Sequence, residues 1–486
     1  MKITLRTILS LFVVVYCTQV QAQQLTQNIR GTIIDQDAKM PLIGANIMIQ
    51  NTNPVMGAST DVDGNFRLEN VPVGRHNLVV TYLGYEPALL NSILLTTGKE
   101  LILNIELTES TESLNEVVVV AKHDKNKPLN EMAMVSARSF SVEETSRYAG
   151  SYFDPSRMAQ NYAGVNLGGG NDDLFNEIIV RGNSPRGVLW RLEGIEIPNP
   201  NHFGALGNSG GAISMLSSST LSNSDFYTGA FPAEFGNATS GVFDLNMRKG
   251  NNEKREYAFM LGALGIEAAA EGPFSKNSRA SYLINYRYST LGLLEAIGLN
   301  PVDDILPSYQ DLSFKINIPT EKAGNFSLFG LGGSNLAAFS PERDSTKWDT
   351  DFGNDGFEER QRMGVIGLTH KKILSERSYL KTVVAASHEF YSENYYQLLA
   401  DENYKRKDEG DAEFRNNTVR ISSTYTNKIN AKKTLRFGAI FSNMDFSYAL
   451  REFIDDDNAY RIFLDNEGTT QLYQAFAKSL IELRGA

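Results

Sequence analysis

One short pattern in the sequence could supply a catalytic nucleophile. Gly207-Asn208-Ser209-Gly210-Gly211 fits the G-x-S-x-G spacing of serine hydrolases. In those enzymes the serine lies on a strained turn between a buried strand and a helix, and an aspartate and a histidine follow in order. Here residues 202–206 do not form a core strand, and no Asp and His follow in a supporting context. We therefore predict a flexible loop at Ser209 and no catalytic residue in the chain.

Residues that could bind a metal are scattered along the sequence. The five histidines lie far apart, and His388-Glu389 is not completed by the second histidine of a zinc protease motif. An acidic stretch over residues 342–359 would offer Asp349 and Asp351 first if it held a cation. A solvated surface loop is the favoured interpretation of that stretch. We expect neither a metal nor a cofactor.

Composition and the first residues indicate an exported protein. The 486-residue chain has a formal net charge of −11, so nucleic acid is a poor candidate partner. Lys2 and Arg6 precede a short apolar run, Ile8 to Tyr16, and the segment closes on Val20-Gln21-Ala22. This pattern predicts a secretory signal peptide over residues 1–22. The only cysteine, Cys17, lies inside it, so we expect no disulfide in the mature protein.

Residues 23–108 predict a small β-sandwich, because short β-type runs alternate with turn clusters. The runs are Ile29 to Ile34, Ala45 to Ile49, Asn65 to Leu68, Leu78 to Tyr82 and Leu101 to Leu107. Asp61, Asp63 and Gly64 do not continue the spacing of a calcium loop and predict a tight hairpin turn. The stretch Thr60 to Phe66, followed by Gly74 and by Tyr82 to Tyr85, resembles the carboxypeptidase regulatory-like domain.

Residues 109–130 form a linker that contains a β-branched run. Glu116 is followed by four valines and then by a charged, proline-containing stretch. An extended apolar segment of this kind can add as an edge strand to a partner's sheet through its backbone. The alternative is that it forms the last strand of the sandwich. Its position favours a partner contact through Glu116, Val117, Val118, Val119 and Val120.

Residues 131–250 carry four ordered motifs. The motifs are Glu177 to Pro185, Val188 to Ile197, Phe231 to Gly236 and Ser240 to Leu245. In this order they resemble the plug of TonB-dependent outer-membrane receptors, with motif positions at Arg181, Gly182, Glu193, Gly194, Gly236 and Gly241. Glu193 replaces the usual aspartate, and Glu234 lies where a basic residue is common. These two departures leave undetermined which salt bridges join the plug to the barrel.

Residues 251–486 predict antiparallel hairpins. Leu312, Phe314 and Ile316 alternate with Ser313 and Lys315. Such alternation is typical both of a soluble sandwich and of a membrane barrel. After the signal peptide no run of about 18 apolar residues occurs, so any membrane insertion must use strands.

Connection lengths favour the barrel, because an outer-membrane barrel has short turns on one side and long loops on the other. Short connections are predicted at Phe274 to Ser278, Pro319 to Gly324, Lys372 to Ser378 and Asn427 to Lys433. Long loops are predicted at Thr290 to Ser308, Asn335 to Glu359, Ser392 to Ala412 and Glu452 to Gly468. About ten strands fit, whereas a plugged barrel has about 22. We expect an incomplete barrel from a longer product.

The predicted fold is all-β dominated: an N-terminal sandwich, an α+β plug and an incomplete antiparallel transmembrane barrel. The resemblance implies energy-coupled uptake of a scarce extracellular ligand across the outer membrane of a Gram-negative bacterium. Its implied partners are TonB, that ligand and outer-membrane lipid, with sandwich and plug on the periplasmic side. Outward-facing plug loops would bind the ligand through Arg186, Asn199, Asn201 and His202. The alternatives are a passive adhesion or surface-display protein and an exported serine hydrolase.

Overall fold

The structure is a computed structural model. It describes residues 25–110, 137–140, 154–168, 176–204, 207–262, 265–276, 278–290, 307–348, 353–454 and 459–481. The chain divides into two compact units, the first made of Met1–Gln36 with Pro41–His123 and the second of Asp37–Met40 with Asp124–Ala486. In the part of the chain that is described, no helix has both the length and the apolar character needed to cross a membrane.

The first unit is a β-sandwich, as predicted. Its strands are β1 (Thr26–Asp35), β2 (Asn46–Ile49), β3 (Gly57–Ser59), β4 (Asn65–Pro72), β5 (Gly74–Thr81), β6 (Ala88–Leu95) and β7 (Leu101–Leu107). One sheet has the order β4-β1-β7 and the other β3-β2-β5-β6. Ile33, Phe66 and Val80 from the two sheets share one buried core. The Asp61 carboxylate accepts from the backbone amides of Asp63 and Asn65 at 2.9 and 2.8 Å. The turn is tight, as predicted, but it joins β3 to β4, which belong to different sheets, so it is not a hairpin turn.

Two strands of the sandwich, β3 and β6, were not predicted from the sequence. Both lie at the edges of the four-stranded sheet. An edge strand is hydrogen-bonded on one side only and needs no β-branched run. Strand β6 is rich in leucine and is interrupted at Ser92, which has a φ of 59°. Periodicity alone therefore gives no clear strand signal there.

The second unit begins with residues 137–250, called the plug region here. It contains β8 (Ala137–Phe140), α1 (Pro155–Ala159), β9 (Val165–Leu167), β10 (Ile178–Val180), β11 (Leu189–Leu192), β12 (Ile195–Glu196), β13 (Asn201–His202), β14 (Ile213–Ser214), β15 (Ser224–Tyr227) and β16 (Val242–Leu245). Its main sheet has the order β12-β11-β16-β15-β8. Trp190 stacks on Phe243 at 4.3 Å between ring centroids, and Phe226 lies 4.4 Å from the same ring. This aromatic core holds the motif loops in place.

Ten strands follow in a single antiparallel sheet, which matches the predicted number. They are β17 (Glu256–Leu261), β18 (Gly265–Pro273), β19 (Ser281–Ser289), β20 (Ser308–Pro319), β21 (Asn325–Phe339), β22 (Asp355–Ser375), β23 (Ser378–Leu399), β24 (Lys405–Asn430), β25 (Lys433–Ile454) and β26 (Ala459–Ile481). Each strand pairs with its neighbours in the chain. The four predicted short connections all lie at one end of the sheet.

Two of the predicted long loops are wrong over most of their length, and a third is wrong at both its ends. The sheet continues through Ser392 to Ala412, where β23 ends at Leu399 and β24 begins at Lys405. It also continues through Glu452 to Gly468 and into both ends of Asn335 to Glu359. The apolar alternation fades in these segments, but backbone hydrogen bonds do not need apolar side chains, so the ladders continue. The predicted loop after Thr290 lies mostly outside the described residues.

Exposure on β20 decides which face of the sheet is apolar. Leu312 and Ile318 are 39% and 44% exposed. Asp311 and Lys315, on the other face, are 3% and 6% exposed and contact the plug region or its neighbours. On β20 the polar face is therefore internal and the apolar face external, which is the reverse of a soluble sandwich and is typical of a membrane barrel.

Candidate functional site at the contact between plug region and sheet

The turn between β11 and β12 places a carboxylate against the sheet. Glu193 and Gly194 have φ values of 56° and 95°, the positive pair that a two-residue hairpin turn requires. The Glu193 carboxylate accepts from the Lys315 ammonium at 2.7 Å and from the Met247 amide at 2.8 Å. Lys315 also donates to the Met247 carbonyl at 2.8 Å. The motif glutamate therefore ties the plug region to β20.

Buried charge stabilises the ionised form of that glutamate. Burial raises the pKa of Glu193, but the ammonium groups of Lys315 and Lys381 and the hydrogen bonds from Lys315 and Met247 lower it further than burial raises it. The net pKa lies below the ordinary value. The carboxylate thus stays charged at neutral pH although its side chain is only 7% exposed.

Glu234 makes a second contact of the same type. Its carboxylate lies 3.2 Å from the Arg436 guanidinium on β25. Burial raises the pKa of Glu234, and the opposing charges of Arg436, Arg191 and Lys478 bring it below the ordinary value. The acidic residue that departs from the family's usual basic one is therefore matched by cations around it.

Arg248 makes a third contact, with the charges reversed. Its guanidinium donates to both oxygens of Glu271 on β18, at 2.6 and 2.8 Å. The Asn251 amide donates to the same carboxylate at 2.9 Å. Such bidentate pairs fix geometry as well as charge. Glu193, Glu234 and Arg248 all meet the sheet toward the end that has the short connections.

A different contact lies toward the other end of the sheet. The His202 Nε2 donates to the Asp311 carboxylate at 3.1 Å, and its Nδ1 lies 3.3 Å from the Asn335 side-chain oxygen. Arg287 donates to the same Asp311 oxygen at 2.7 Å and also to the Ser214 carbonyl. Burial lowers the pKa of His202, and the nearby Arg287 charge adds to that effect against the opposing influence of Asp311. The imidazole is therefore neutral at pH 7.

The four predicted ligand residues do not share one environment. Arg186 is exposed on a short 3-10 turn, and Asn199 is half-buried, donating to the Gly210 carbonyl at 2.8 Å. Asn201 and His202 are fully buried. Asn201 donates to Asn199 at 2.6 Å and so holds the loop together. In this conformation Asn201 and His202 position the plug region, and ligand binding stays a prediction for all four residues.

The other motif residues also build local geometry. Arg181 and Gly182 have φ values of 51° and 79° and form a turn, from which Arg181 donates to Thr228 at 3.3 Å. A side chain at Gly241 would lie 3.1 Å from Val180, so close packing favours glycine. Gly236 lies beside Gln474 of β26. The predicted TonB contact, Glu116 to Val120, lies outside the described residues.

The alternatives based on catalysis and metal binding gain no support. The Ser209 hydroxyl donates to the Pro185 carbonyl, and the Trp190 indole donates to the Ser209 carbonyl at 2.8 Å. That serine is thus a buried loop residue without a histidine beside it in these contacts. Within the described ranges no group of three His, Cys, Asp or Glu residues could hold a metal ion. Asp349 and Asp351 lie outside those ranges.

Sequence reasoning missed the partners on the sheet. Lys315, Arg436 and Glu271 looked like ordinary inward positions of alternating strands. The only signal was a charged residue on the polar face of a strand, which many solvated strands also have. Their role became visible once the register placed them against the plug region.

Comparisons with known proteins agree with this architecture. Residues 29–119 match the CarboxypepD_reg-like domain. Over 236 residues, 47% of this chain, the sequence is 25% identical to the TonB-dependent transporter Oar of Myxococcus xanthus. The chain is a relative of TonB-dependent receptors. It is also 28% identical over 116 residues, 24% of its length, to the TonB-dependent receptor P3 of Formosa agariphila.

A solved structure has a fold similar to that of this chain. The outer membrane transporter YddB from Escherichia coli superimposes with a TM-score of 0.51 at 13% identity, covering 72% of this chain and 55% of that one. The alignments to Oar and P3 span 21% and 11% of those proteins. The chain therefore matches a part of Oar and a part of P3.

The domain match also bears on the valine run of this receptor relative. It extends to residue 119 and so includes Val117 to Val119. The family model therefore does not separate a TonB-contacting strand from a last strand of the sandwich. Both interpretations of that run stay open to experiment.

Proposed function

We propose that the chain belongs to an outer-membrane receptor for TonB-dependent, energy-coupled uptake of a scarce extracellular ligand in a Gram-negative bacterium. In this proposal the sandwich and the plug region lie on the periplasmic side and the apolar face of the sheet contacts lipid. Both curated relatives carry the names of a transporter and a receptor, not of enzymes. The long-connection end of the sheet would face the exterior.

The observation that carries this proposal is the type of contact between plug region and sheet. The plug region has an apolar core centred on Trp190 and Phe243, and this core continues onto buried apolar residues of β21, β22 and β23, among them Phe329, Val365 and Val383. Beside this apolar contact, the plug region attaches to the sheet through ion pairs at Glu193, Glu234 and Arg248. Charged groups exchange a partner for water at small net free energy. These polar contacts between the plug region and the sheet can therefore be released at low cost, as uptake requires.

Coupling to TonB is tested most directly on the valine run. A backbone-paired strand should tolerate Val118→Ala, whereas Val118→Pro removes a donor and fixes φ at a cost of roughly 3 kcal/mol. We expect the proline variant to bind the purified C-terminal domain of TonB about 100-fold more weakly than wild type. Isothermal titration or surface plasmon resonance measures this affinity, with Val118→Ala as the matched control.

Uptake separates the receptor from a passive adhesion protein. Energised cells carrying Val118→Pro should lose uptake that depends on the proton-motive force while surface binding persists. Uptake equal to that of wild type would indicate instead that residues 117–120 form the last strand of the sandwich. Loss of surface binding together with uptake would indicate misfolding, which the accessibility of the protein to protease in intact cells would reveal.

A further inference from the structure

An inward-facing row of aromatic side chains crosses three long strands beyond the plug contacts. The register places Gln361 of β22 opposite Tyr391 of β23, Tyr391 opposite Phe414 of β24, and Phe414 opposite Tyr448 of β25. Directly opposite residues share a face of the sheet. Gln361 accepts from the Gly204 amide of the plug region at 3.2 Å, so this face is the one toward the plug. We call Tyr391, Phe414 and Tyr448 the aromatic row.

The rings of the aromatic row are in contact with each other. Tyr391 and Phe414 have centroids 6.3 Å apart, and Phe414 and Tyr448 have centroids 5.5 Å apart. Phe446 extends the row, 5.3 Å from Tyr448. Phe414, Tyr448 and Phe446 are half-buried, so parts of their ring faces are open.

Carboxylates flank the aromatic row on both sides. Glu359 lies directly opposite Glu393 on the outer side, and Glu389 lies two residues from Tyr391 on the plug side. The Tyr391 hydroxyl donates to Glu393 at 3.0 Å, and the Asn416 amide donates to Glu389 at 3.1 Å. Among the described residues, none of these three carboxylates forms an ion pair with a basic side chain. Like charges placed opposite each other destabilise a sheet, so this arrangement needs a reason.

The carboxylates at the contacts between plug region and sheet, in contrast, have basic partners. There Glu193 is neutralised by Lys315, Glu234 by Arg436 and Glu271 by Arg248. Farther out on the long strands, the Arg406 guanidinium lies 3.9 Å from the centroid of the Tyr396 ring. An aromatic ring of this wall thus already receives a cation from the chain itself.

We propose that the aromatic row and its three carboxylates bind a cationic organic ligand that carries ammonium or guanidinium groups, such as a lysine- or arginine-rich peptide. This inference rests on the proposed receptor function and names its ligand class. The ring faces attract a cation through their quadrupoles, and carboxylates that have no basic partner among the described residues add a negative potential. The same potential repels an anionic ligand. Gln361 links the site to the plug loop that contains Gly204. A bound ligand would therefore be coupled to the plug region through this one hydrogen bond.

The test measures equilibrium binding of a fluorescent tetra-arginine peptide to outer membranes that contain the protein. A tetra-glutamate peptide of the same length is the probe control. We expect the double substitution Glu359→Gln with Glu393→Gln to weaken tetra-arginine binding roughly tenfold at low salt and to flatten its salt dependence. Phe414→Leu, which keeps the charge and removes a ring, should weaken binding roughly fivefold.

Glu358→Gln is the matched control variant. Glu358 is adjacent to Glu359 in the strand but on the opposite face, where it pairs with Arg360. Its substitution should leave binding unchanged. Equal binding of tetra-arginine to wild type and to both variants, no binding to wild type, or preference for tetra-glutamate would each overturn the inference. These results do not involve TonB, whereas failure of the Val118 experiment with peptide binding retained would overturn the proposed function alone. Heat-modifiable migration on gels confirms that each variant is folded.

Discussion

The carboxylate of Glu193 and the ammonium of Lys315 are 2.7 Å apart, and each side chain is only 7% exposed. The two residues come from a turn of the plug region and from a strand of the surrounding sheet. Removing one partner of a buried pair leaves a charge without compensation, which costs more than the intact pair contributes. This contact is therefore sensitive to single substitutions.

We expect Lys315→Met to weaken the docking of the plug region by about 3 kcal/mol, because it leaves Glu193 buried with one cation fewer. The Met247 amide donates to Glu193 and reports on this contact. Its hydrogen exchange should become about 100-fold faster. Lys347→Met is the control, because Lys347 forms an exposed pair with Glu342 that contributes little. Unchanged exchange at Met247 would show that the pair does not hold the plug region.

The docking of the plug region should also depend on pH through His202. Burial lowers the pKa of this imidazole below its ordinary value of 6.5. Because the pKa of His202 is lower in the docked state than in the undocked state, the undocked state binds protons more readily. Docking therefore weakens as the pH falls below about 6.5, and it stops weakening once the pH is below the pKa of the docked state. The groups facing His202 include Asp311, Arg287, Tyr309 and Asn335.

Protease accessibility of the plug region at pH 7.5 and pH 5 measures this effect. We expect greater cleavage at pH 5 in wild type and a smaller difference in His202→Gln. His388→Gln is the control, because that histidine is exposed and bonded to Asn417. A pH dependence that persists fully in His202→Gln would assign it to another group.

In the sandwich, Tyr85 holds the end of the first strand. Its hydroxyl donates to the Asp35 carboxylate at 2.7 Å. Tyr85→Phe should destabilise this unit by about 1.5 kcal/mol, because a hydrogen bond to a charged group is lost. Hydrogen exchange of the β1 amides in the whole protein measures the change. Tyr82→Phe is the control, since its ring packs on Tyr85 without a hydroxyl contact to the described residues. Equal effects of the two substitutions would contradict this role.

Cysteine labelling tests the orientation of the sheet. Thr346 lies in the connection between β21 and β22, and Lys322 lies in the short turn between β20 and β21. Both are exposed. An impermeant thiol reagent should label Thr346→Cys on intact cells and leave Lys322→Cys unlabelled until the outer membrane is opened. The only native cysteine, Cys17, lies in the predicted signal peptide. The reverse labelling pattern would invert the orientation.

The strands were predictable because their signal is local. The alternation around Leu312 and Ser313 requires no knowledge of distant residues, and it predicted both the sheet and about the right number of strands. The direction of the apolar face was not predictable from that alternation, since the two faces are equivalent until something packs on one of them. Exposed Leu312 and buried Asp311 decide it in the structure.

The plug contacts were predictable on one side only. Glu193 and Glu234 were recognised as departures from the family pattern, yet their partners Lys315 and Arg436 lie 122 and 202 residues farther along the chain. No spacing rule connects residues so distant. The same limit explains why His202, expected on an outward loop, is buried: its environment is made by strands that follow more than 100 residues later.

The strictly sequential pairing of the ten strands also sets an order of assembly. Each strand can find its neighbour as soon as the next segment of chain is available, so the wall can form from local hairpins. The segment that fills it is synthesised first, but Glu234 can meet Arg436 only once β25 has emerged. The contacts of the plug region with the sheet therefore become available in the order β18, β20 and β25, through Arg248, Glu193 and Glu234. Of the three ion pairs, the one at Arg436 is the last that can close.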